Sequence, residues 1–149
     1  MIRKIFTVEK KQHTIKNNLI AKTDGEIIYL SPTYPGCTHD KKICDEENIL
    51  FSKKVDMFVD LGFIGLTSGA AKIMIPFKSR KKQELNEEQK GFNKWLSSIR
   101  VKVEHVIGSV KINRKVKEKY RGRMYNREDT IMLVSCALHN LKVRLKNAA

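Results

Sequence analysis

Two carboxylates in this sequence stand where side chains could bind a divalent cation. Asp60 ends an apolar segment, residues 55–60, and Glu104 follows within a long, basic, helical segment. Carboxylate oxygens are ligands that Mg²⁺ prefers, and ligands gather at the carboxyl ends of strands in open α/β sheets. Because the formal net charge is +14, a cation held there would face a polyanion. The combination is typical of the cutting and rejoining of DNA, but the third carboxylate which that chemistry needs is not evident.

Ordinary structural roles remain open for both carboxylates. Asp60 could cap the turn that follows its strand. Glu104 lies four residues after Arg100, and at that spacing an ion pair on the helix surface would explain both side chains. The sequence therefore predicts a metal site at Asp60 and Glu104 and leaves these alternatives open.

Composition predicts one folded domain with an anionic partner. The chain has 149 residues, of which 41% are hydrophobic and 31% charged, so it can bury a moderate core and is not of the disordered class. The charge indicates nucleic acid as the first candidate partner and an acidic membrane surface as the second. No segment approaches the roughly 20 apolar residues of a spanning helix, so no membrane segment is expected.

The cysteines indicate a reducing compartment. Cys37, Cys44 and Cys136 form no Cys-x-x-Cys pair, which is typical of reduced thiols in a cytoplasm-like environment. Cys37 with His39 could begin a zinc site, but no second ligand pair follows, so ordinary packing is the preferred interpretation.

Turn signals and hydrophobic patterns predict the strands. Residues 13–31 are expected to form a hairpin about Asp24-Gly25, because glycine tolerates the positive φ of a type I′ turn. Residues 55–60 and 72–77 are expected to be strands, and the segment between them is long enough for a parallel crossover. Pairing about the hairpin turn predicts one face made of Leu19, Ala21, Ile28 and Leu30 and an opposite face made of Ile20, Ile27 and Tyr29.

Helical periodicity predicts two long helices. The first spans about residues 86–112 and begins with a capping box formed by Asn86 and Gln89. The second spans about residues 127–146. Their apolar stripes are Phe92, Trp95, Leu96, Ile99, Val103, Val106, Ile107 and Val110 on the first helix, and Ile131, Val134, Leu138, Leu141 and Leu145 on the second.

Several polar residues receive predictions from their place in these elements. Arg100, Glu104 and Lys111 are expected to line the border between core and solvent on the first long helix. Thr38 or Asp40 is expected to cap a short helix that ends near residue 48. Trp95 is expected to be a core residue, and His139 has no evident partner. His13, Lys10, Lys11 and Lys16 are expected to form a cationic strand edge.

A cationic segment, residues 111–127, predicts affinity for a polyanion. Arg114, Lys115, Arg121 and Arg123 belong to it, and lysine and arginine release counterions from phosphates. Interleaved tyrosines could stack on a splayed base. A solvated charged loop is the alternative, and the net charge favours nucleic acid.

Four segments taken together resemble the DDE transposases of bacterial insertion sequences, in the branch related to Harbinger elements. The segments are residues 10–16 (KKQHTIK), 31–40 (SPTYPG followed by HD), 60–63 (DLGF) and 98–108 (SIRVKVEHVIG). They occur in the family's order and cover nearly the whole chain from about Phe6.

The resemblance implies a partial catalytic domain over residues 1–149, of the α/β class, with a ribonuclease H-like mixed sheet flanked by helices. It places the family's second catalytic aspartate on Asp60 and its glutamate on Glu104, as ligands of Mg²⁺ or Mn²⁺ in two-metal phosphoryl transfer. It places the flanking arginine and lysine on Arg100 and Lys111, which are expected to contact DNA. The tyrosine that many relatives carry before this arginine is Ser97 here.

The family's first aspartate has no counterpart in this sequence. By the family pattern it would lie about twenty residues ahead of the His13 segment. The first strand and its ligand are therefore expected to be missing, so the sheet would be truncated at its N-terminal side and the chain inactive alone. An upstream segment, encoded separately or joined by frameshifting, would restore it.

Two functions follow, and a third competes. The first is a transposase fragment for metal-dependent DNA cleavage and strand transfer. The second is a non-catalytic basic DNA-binding remnant, and the third is a structural basic protein on RNA. The expected partners are transposon ends and target DNA, an upstream transposase segment and a second copy of the chain. The expected location is the bacterial cytoplasm, with nucleoid association when DNA is bound.

Overall fold

Short strands and longer helices make up the part of the chain that the computed structural model describes, residues 6–7, 15–51, 53–67, 69, 72–79, 84–117 and 127–148. The α-helices are α1 (Asp40–Glu46), α2 (Glu87–Val110), α3 (Arg114–Lys117) and α4 (Arg127–Ala148), and a one-turn 3-10 helix spans Leu61–Phe63. The strands are β1 (Phe6–Thr7), β2 (Ile15–Asn17), β3 (Leu19–Ala21), β4 (Ile27–Leu30), β5 (Tyr34–Pro35), β6 (Asp56–Phe58) and β7 (Lys72–Met74).

The described strands form three small sheets. β2 lies between β1 and β5 and is antiparallel to both. β3 pairs antiparallel with β4. β6 and β7 pair in parallel, as the length of their connection predicts. Helices and small sheets in this mixture are compatible with the predicted α/β class.

The β3–β4 hairpin turns at Asp24-Gly25, but its pairing differs from the prediction. Gly25 has a positive φ of 93°, and the loop is closed by the bond from the Lys22 amide to the Glu26 carbonyl (2.8 Å), so it is longer than a two-residue type I′ turn. A bulge lets Ala21 pair with Ile27. Ile27 is therefore buried, and Ile28, predicted for that face, is 43% exposed.

Two apolar cores hold these elements together. The larger one packs the β3–β4 hairpin against α2 and α4, with Leu19, Ala21, Val103 and Cys136 among its buried members. The smaller one lies under β6 and the one-turn helix and contains Met57, Val59 and Phe63. The smaller core matters for function because Asp60 lies between Val59 and the helix that ends at Phe63.

Helix α2 begins where its capping signals predict. The Asn86 side chain accepts from the Gln89 amide (2.8 Å), and the Gln89 side chain accepts from the Asn86 amide (3.1 Å). The predicted stripe buries Leu96, Val103, Val106, Ile107 and Val110. The expectation that Trp95 is a core residue is wrong, since Trp95 is 46% exposed and meets Phe58 edge-on at 5.5 Å between ring centres.

Helix α4 buries a different face from the one its apolar residues predict. Val134, Leu138, Leu141 and Leu145 are 49–63% exposed, so the predicted core face is wrong. The buried residues are Met132, Ser135, Cys136 and His139. Ser135 and His139 are polar, and their burial is tolerated because Ser135 Oγ and His139 Nε2 form hydrogen bonds.

Those partners lie mainly on the hairpin. The Asn140 amide group bridges both backbone groups of Ile27, accepting from its N–H (2.8 Å) and donating to its carbonyl (2.7 Å). His139 Nε2 lies 2.9 Å from the Gly25 carbonyl oxygen, although the sequence suggested no partner for it. Ser135 Oγ donates to the Ile131 carbonyl and accepts from Asn113.

An ion pair between Glu26 and Arg144 adds a pH-sensitive contact to this packing. Hydrogen bonds from Lys22 and then Arg144 lower the pKa of Glu26 below its ordinary value of 4.5. Stability from this group is therefore fully present above about pH 4.5 and is lost as the pH falls through the lowered pKa. We expect Glu26→Gln to destabilise the protein at neutral pH, by a difference that disappears on acidification. Urea unfolding of both proteins at several pH values measures this, and a difference that stays constant with pH would contradict it.

Among the described residues, no helix is both long enough and apolar enough to cross a membrane.

Candidate metal and nucleic-acid site

Asp60 lies directly after the buried strand end and caps the one-turn helix that follows. Its Oδ1 accepts from the Leu61 amide at 2.9 Å, so the capping role that the sequence left open is present. The strand fixes the residue from one side, because Val59 donates its N–H to the Met74 carbonyl (3.0 Å). The side chain is 34% exposed, so Asp60 remains accessible to a ligand.

Arg100 connects Asp60 to helix α2. Its Nη2 lies 3.5 Å from Asp60 Oδ2, and both side chains are 34% exposed. The Arg100 Nε is buried and has no hydrogen-bond partner within the described ranges. Two residues that are forty positions apart in sequence thus meet at the end of β6.

Glu104 lies one helical turn after Arg100, on the exposed surface of α2. Residues four apart share a helix face, with roughly 5–6 Å between their Cβ atoms. Glu104 is therefore a neighbour of Arg100 on the surface of α2. Its prediction as a ligand together with Asp60 stays a prediction.

The predicted phosphate-binding residues continue at the C-terminal end of α2 and on α3. Lys111 is the C-cap of α2, roughly 10 Å from Glu104 along the axis at 1.5 Å per residue. Arg114 and Lys115 are exposed on the short helix α3. The remaining two predicted residues, Arg121 and Arg123, lie outside the described residues.

Asp40 was predicted as a helix cap, and that prediction is wrong. The N-cap of α1 is His39, which makes no side-chain cap bond, and Asp40 is the first residue of the helix. Its carboxylate instead binds the Lys16 ammonium at 3.0 Å. Lys16 is only 8% exposed and lies on β2, the middle strand of its sheet, so the expectation that it belongs to a strand edge is also wrong. The other residues predicted for that edge, Lys10, Lys11 and His13, lie outside the described residues. The sequence signal that could have found this pair is the HD of residues 39–40 within the resembling segments.

Helix α1 is held at its other end by two tyrosines. Tyr29 and Tyr34 both donate to the Glu47 carboxylate. The Glu47 hydrogen bond, with burial second, raises the pKa of Tyr34 to about 12, while burial raises that of Tyr29 above its ordinary value. Both phenols therefore stay protonated and keep their donors at any physiological pH. Asp40 is placed by a helix fixed at both ends.

The donor set at Asp60 and Glu104 suits a hard cation. Carboxylate oxygens fit Mg²⁺, which is usually bound through one or two carboxylates and keeps several waters. In the described ranges, no three His, Cys, Asp or Glu side chains form a group that could hold a metal ion by themselves. This also leaves the Cys37–His39 pair without further ligands there.

The sequence as a whole matches the DDE superfamily endonuclease family over residues 2–140. The chain belongs to this family. The probable transposase for insertion sequence element IS702 of Microchaete diplosiphon is 29% identical to it over 121 residues. That alignment covers 81% of this chain and 44% of the relative, so the chain spans less than half of that protein's length. No solved structure matches it.

Proposed function

We propose that this chain is part of the catalytic domain of a DDE transposase, acting in metal-dependent DNA cleavage and strand transfer. The observation that carries the proposal is the contact of Asp60 with Arg100, one helical turn before Glu104. It supports a site in which the end of β6 and the middle of α2 meet. The family match supports the same chemistry, and the name of the relative supports transposition as its purpose.

Asp60 and Glu104 are the proposed ligands of Mg²⁺ or Mn²⁺. When bound, the cation supplies a positive charge that polarises the phosphate at which a strand is cut. Arg100 keeps the Asp60 carboxylate turned toward α2. The half-buried Lys111 and the exposed Arg114 and Lys115 contribute by holding the DNA backbone and releasing counterions. Arg121 and Arg123 extend that proposal along the chain.

A third carboxylate is proposed to come from outside these 149 residues. The resemblance supports this, because the family's first aspartate belongs to a segment upstream of the residues that match here. The same proposal includes three further points. The chain belongs to the Harbinger-related branch, its sheet is ribonuclease H-like, and it is inactive without an upstream segment.

A second copy of the chain is the proposed occupant of the exposed face of α4. Ile131, Val134, Leu138, Leu141 and Leu145 alternate by three and four residues, which is the spacing of a helix-pairing seam. Val134, Leu138, Leu141 and Leu145 are 49–63% exposed, and pairing would bury this apolar area. A monomer mass by light scattering at micromolar concentration would count against this partner.

DNA binding would place the assembly in the cytoplasm at the nucleoid.

A non-catalytic DNA-binding remnant is the second candidate. It is favoured by the lack of a group of three His, Cys, Asp or Glu side chains that could hold a metal ion within the described part of the chain. It predicts salt-sensitive DNA binding that is indifferent to divalent metal.

Nicking of supercoiled plasmid separates the candidates. The assay uses the chain together with the upstream segment of its gene, with Mg²⁺, with Mn²⁺ and with a chelator. The proposed function predicts nicks with metal, none with chelator and none without the upstream segment. Salt-sensitive DNA binding with no nicking under any condition would support the remnant, and tighter binding to RNA than to DNA would contradict both.

A further inference from the structure

We propose that Asp40 is a positioning residue for Asp60, acting through a close contact with Gly62. The inference rests on the proposed function, since it assumes that Asp60 binds a cation. Three elements meet at this contact: β2 through Lys16, α1 through Asp40 and the one-turn helix through Gly62.

The space beside Gly62 is filled by the Asp40 carboxylate. A Cβ added to Gly62 would lie 2.7 Å from Asp40 Oδ2 and 3.5 Å from its Cγ, and the first distance is shorter than real Cβ contacts. Gly62 has no positive φ, so its backbone would accept alanine. Position 62 therefore requires glycine for steric reasons, because the Asp40 carboxylate occupies the volume that a side chain would need.

The Asp40 carboxylate is not free to move away. Its Oδ1 binds the Lys16 ammonium at 3.0 Å, and the two side chains are only 23% and 8% exposed. The Asp40 carbonyl also accepts from the amide group of Asn18 (3.0 Å), a residue that is 1% exposed. Breaking one half of such a buried pair leaves an uncompensated charge, so the pair resists displacement.

The position of Gly62 constrains the direction of the Asp60 side chain. Gly62 is the middle residue of the one-turn helix that Asp60 caps, and Phe63 anchors the end of that helix in the smaller core. The helix cannot shift away from α1 without disturbing Phe63, nor toward it because the carboxylate is there. The direction of the Asp60 side chain is therefore set by the Asp40–Gly62 contact and by Phe63, as well as by Arg100.

The role is tested with Gly62→Ala, read out by Mn²⁺-induced broadening of the Leu61 amide signal in NMR spectra of the chain. Displacement of a supporting contact typically lowers metal affinity 10–100-fold, so the Mn²⁺ concentration at half-broadening is expected to rise at least about tenfold. Gly91→Ala is the matched control, since nothing lies within 4 Å of its added Cβ, and it should leave this concentration unchanged.

A double variant shows whether Asp40 is the cause. With Asp40→Ala in the background, the added methyl group at position 62 meets no carboxylate. The further effect of Gly62→Ala on melting temperature and on half-broadening should then largely disappear. This readout also covers the case in which Gly62→Ala alone fails to fold.

Each contrary result has its own meaning. Unchanged Mn²⁺ affinity in folded Gly62→Ala overturns the positioning role and leaves the proposed function standing. Equal effects of Gly62→Ala with and without Asp40 overturn the assigned contact. Absence of any Asp60-dependent Mn²⁺ broadening in the unsubstituted chain, measured with the upstream segment present, overturns the proposed function and the positioning role with it.

Discussion

Replacing Glu104 by glutamine is expected to lower the rate of metal-dependent nicking by at least about a hundredfold, since even supporting residues around metal ligands typically contribute 10–100-fold. The substitution keeps the size of the side chain and removes its charge. Because Glu104 is exposed, the melting temperature should barely change, as surface substitutions usually alter stability by less than about 0.5 kcal/mol. A plasmid-nicking assay with the upstream segment present measures the rate.

Matched variants separate a ligand from a surface charge. Glu88→Gln removes an exposed carboxylate from the same helix and should leave nicking unaffected. Asp60→Asn should reduce nicking as strongly as Glu104→Gln, whereas Asp56→Asn, at the other end of the same strand, should not. Full nicking by Glu104→Gln would remove Glu104 from the site.

The largest effect on stability is expected from Phe63→Ala. The Phe63 side chain is 1% exposed and packs with Met57 and Val59. Removing a buried phenylalanine side chain typically costs about 3–5 kcal/mol, a large share of the roughly 5–15 kcal/mol that holds a domain folded. Urea unfolding followed by circular dichroism measures the difference.

Phe77→Ala provides the control for that experiment. Phe77 is 45% exposed and contacts Phe92 at the surface, so its truncation should cost clearly less. Equal losses for the two variants would contradict the assignment of Phe63 to the smaller core. Because Phe63 ends the turn that Asp60 begins, a folded Phe63→Ala should also bind Mn²⁺ more weakly.

Local signals account for the parts of the fold that the sequence predicted well. The start of α2 depends on a capping box whose two partners are three residues apart, and its stripe depends on an apolar period that few alternatives satisfy. The parallel pairing of β6 with β7 follows from the length of the chain between them. Each depends on neighbours in sequence.

Long-range contacts account for the parts that were wrong. The hairpin register changed because one extra residue in β4 moved Ile27 into the core and Ile28 out of it. Helix α4 buries a different face from the predicted one because Asn140 and His139 find backbone partners on the hairpin, more than a hundred positions away. A prediction from periodicity selects the most apolar face of a helix. It takes no account of the hydrogen bonds that make a polar face suitable for burial.

The candidate site divides in the same way. Asp60 and Glu104 were predicted as metal ligands from their residue types, their local elements and the family resemblance, and their role as a pair stays a prediction. Arg100 was assigned to DNA by resemblance, whereas the structure pairs it with Asp60. The Lys16–Asp40 pair was missed because it joins residues from two elements, and the charge of an isolated lysine predicts solvent exposure.

Paramagnetic line broadening tests most directly whether Asp60 and Glu104 act together. Mn²⁺ added to isotope-labelled protein should broaden the amide signals of Leu61 and His105 over the same concentration range. Either Asp60→Asn or Glu104→Gln should abolish the broadening at both places, because the proposed ion is shared by the two carboxylates. Broadening that persists at one position after the carboxylate at the other is replaced would show separate sites and contradict a shared cation.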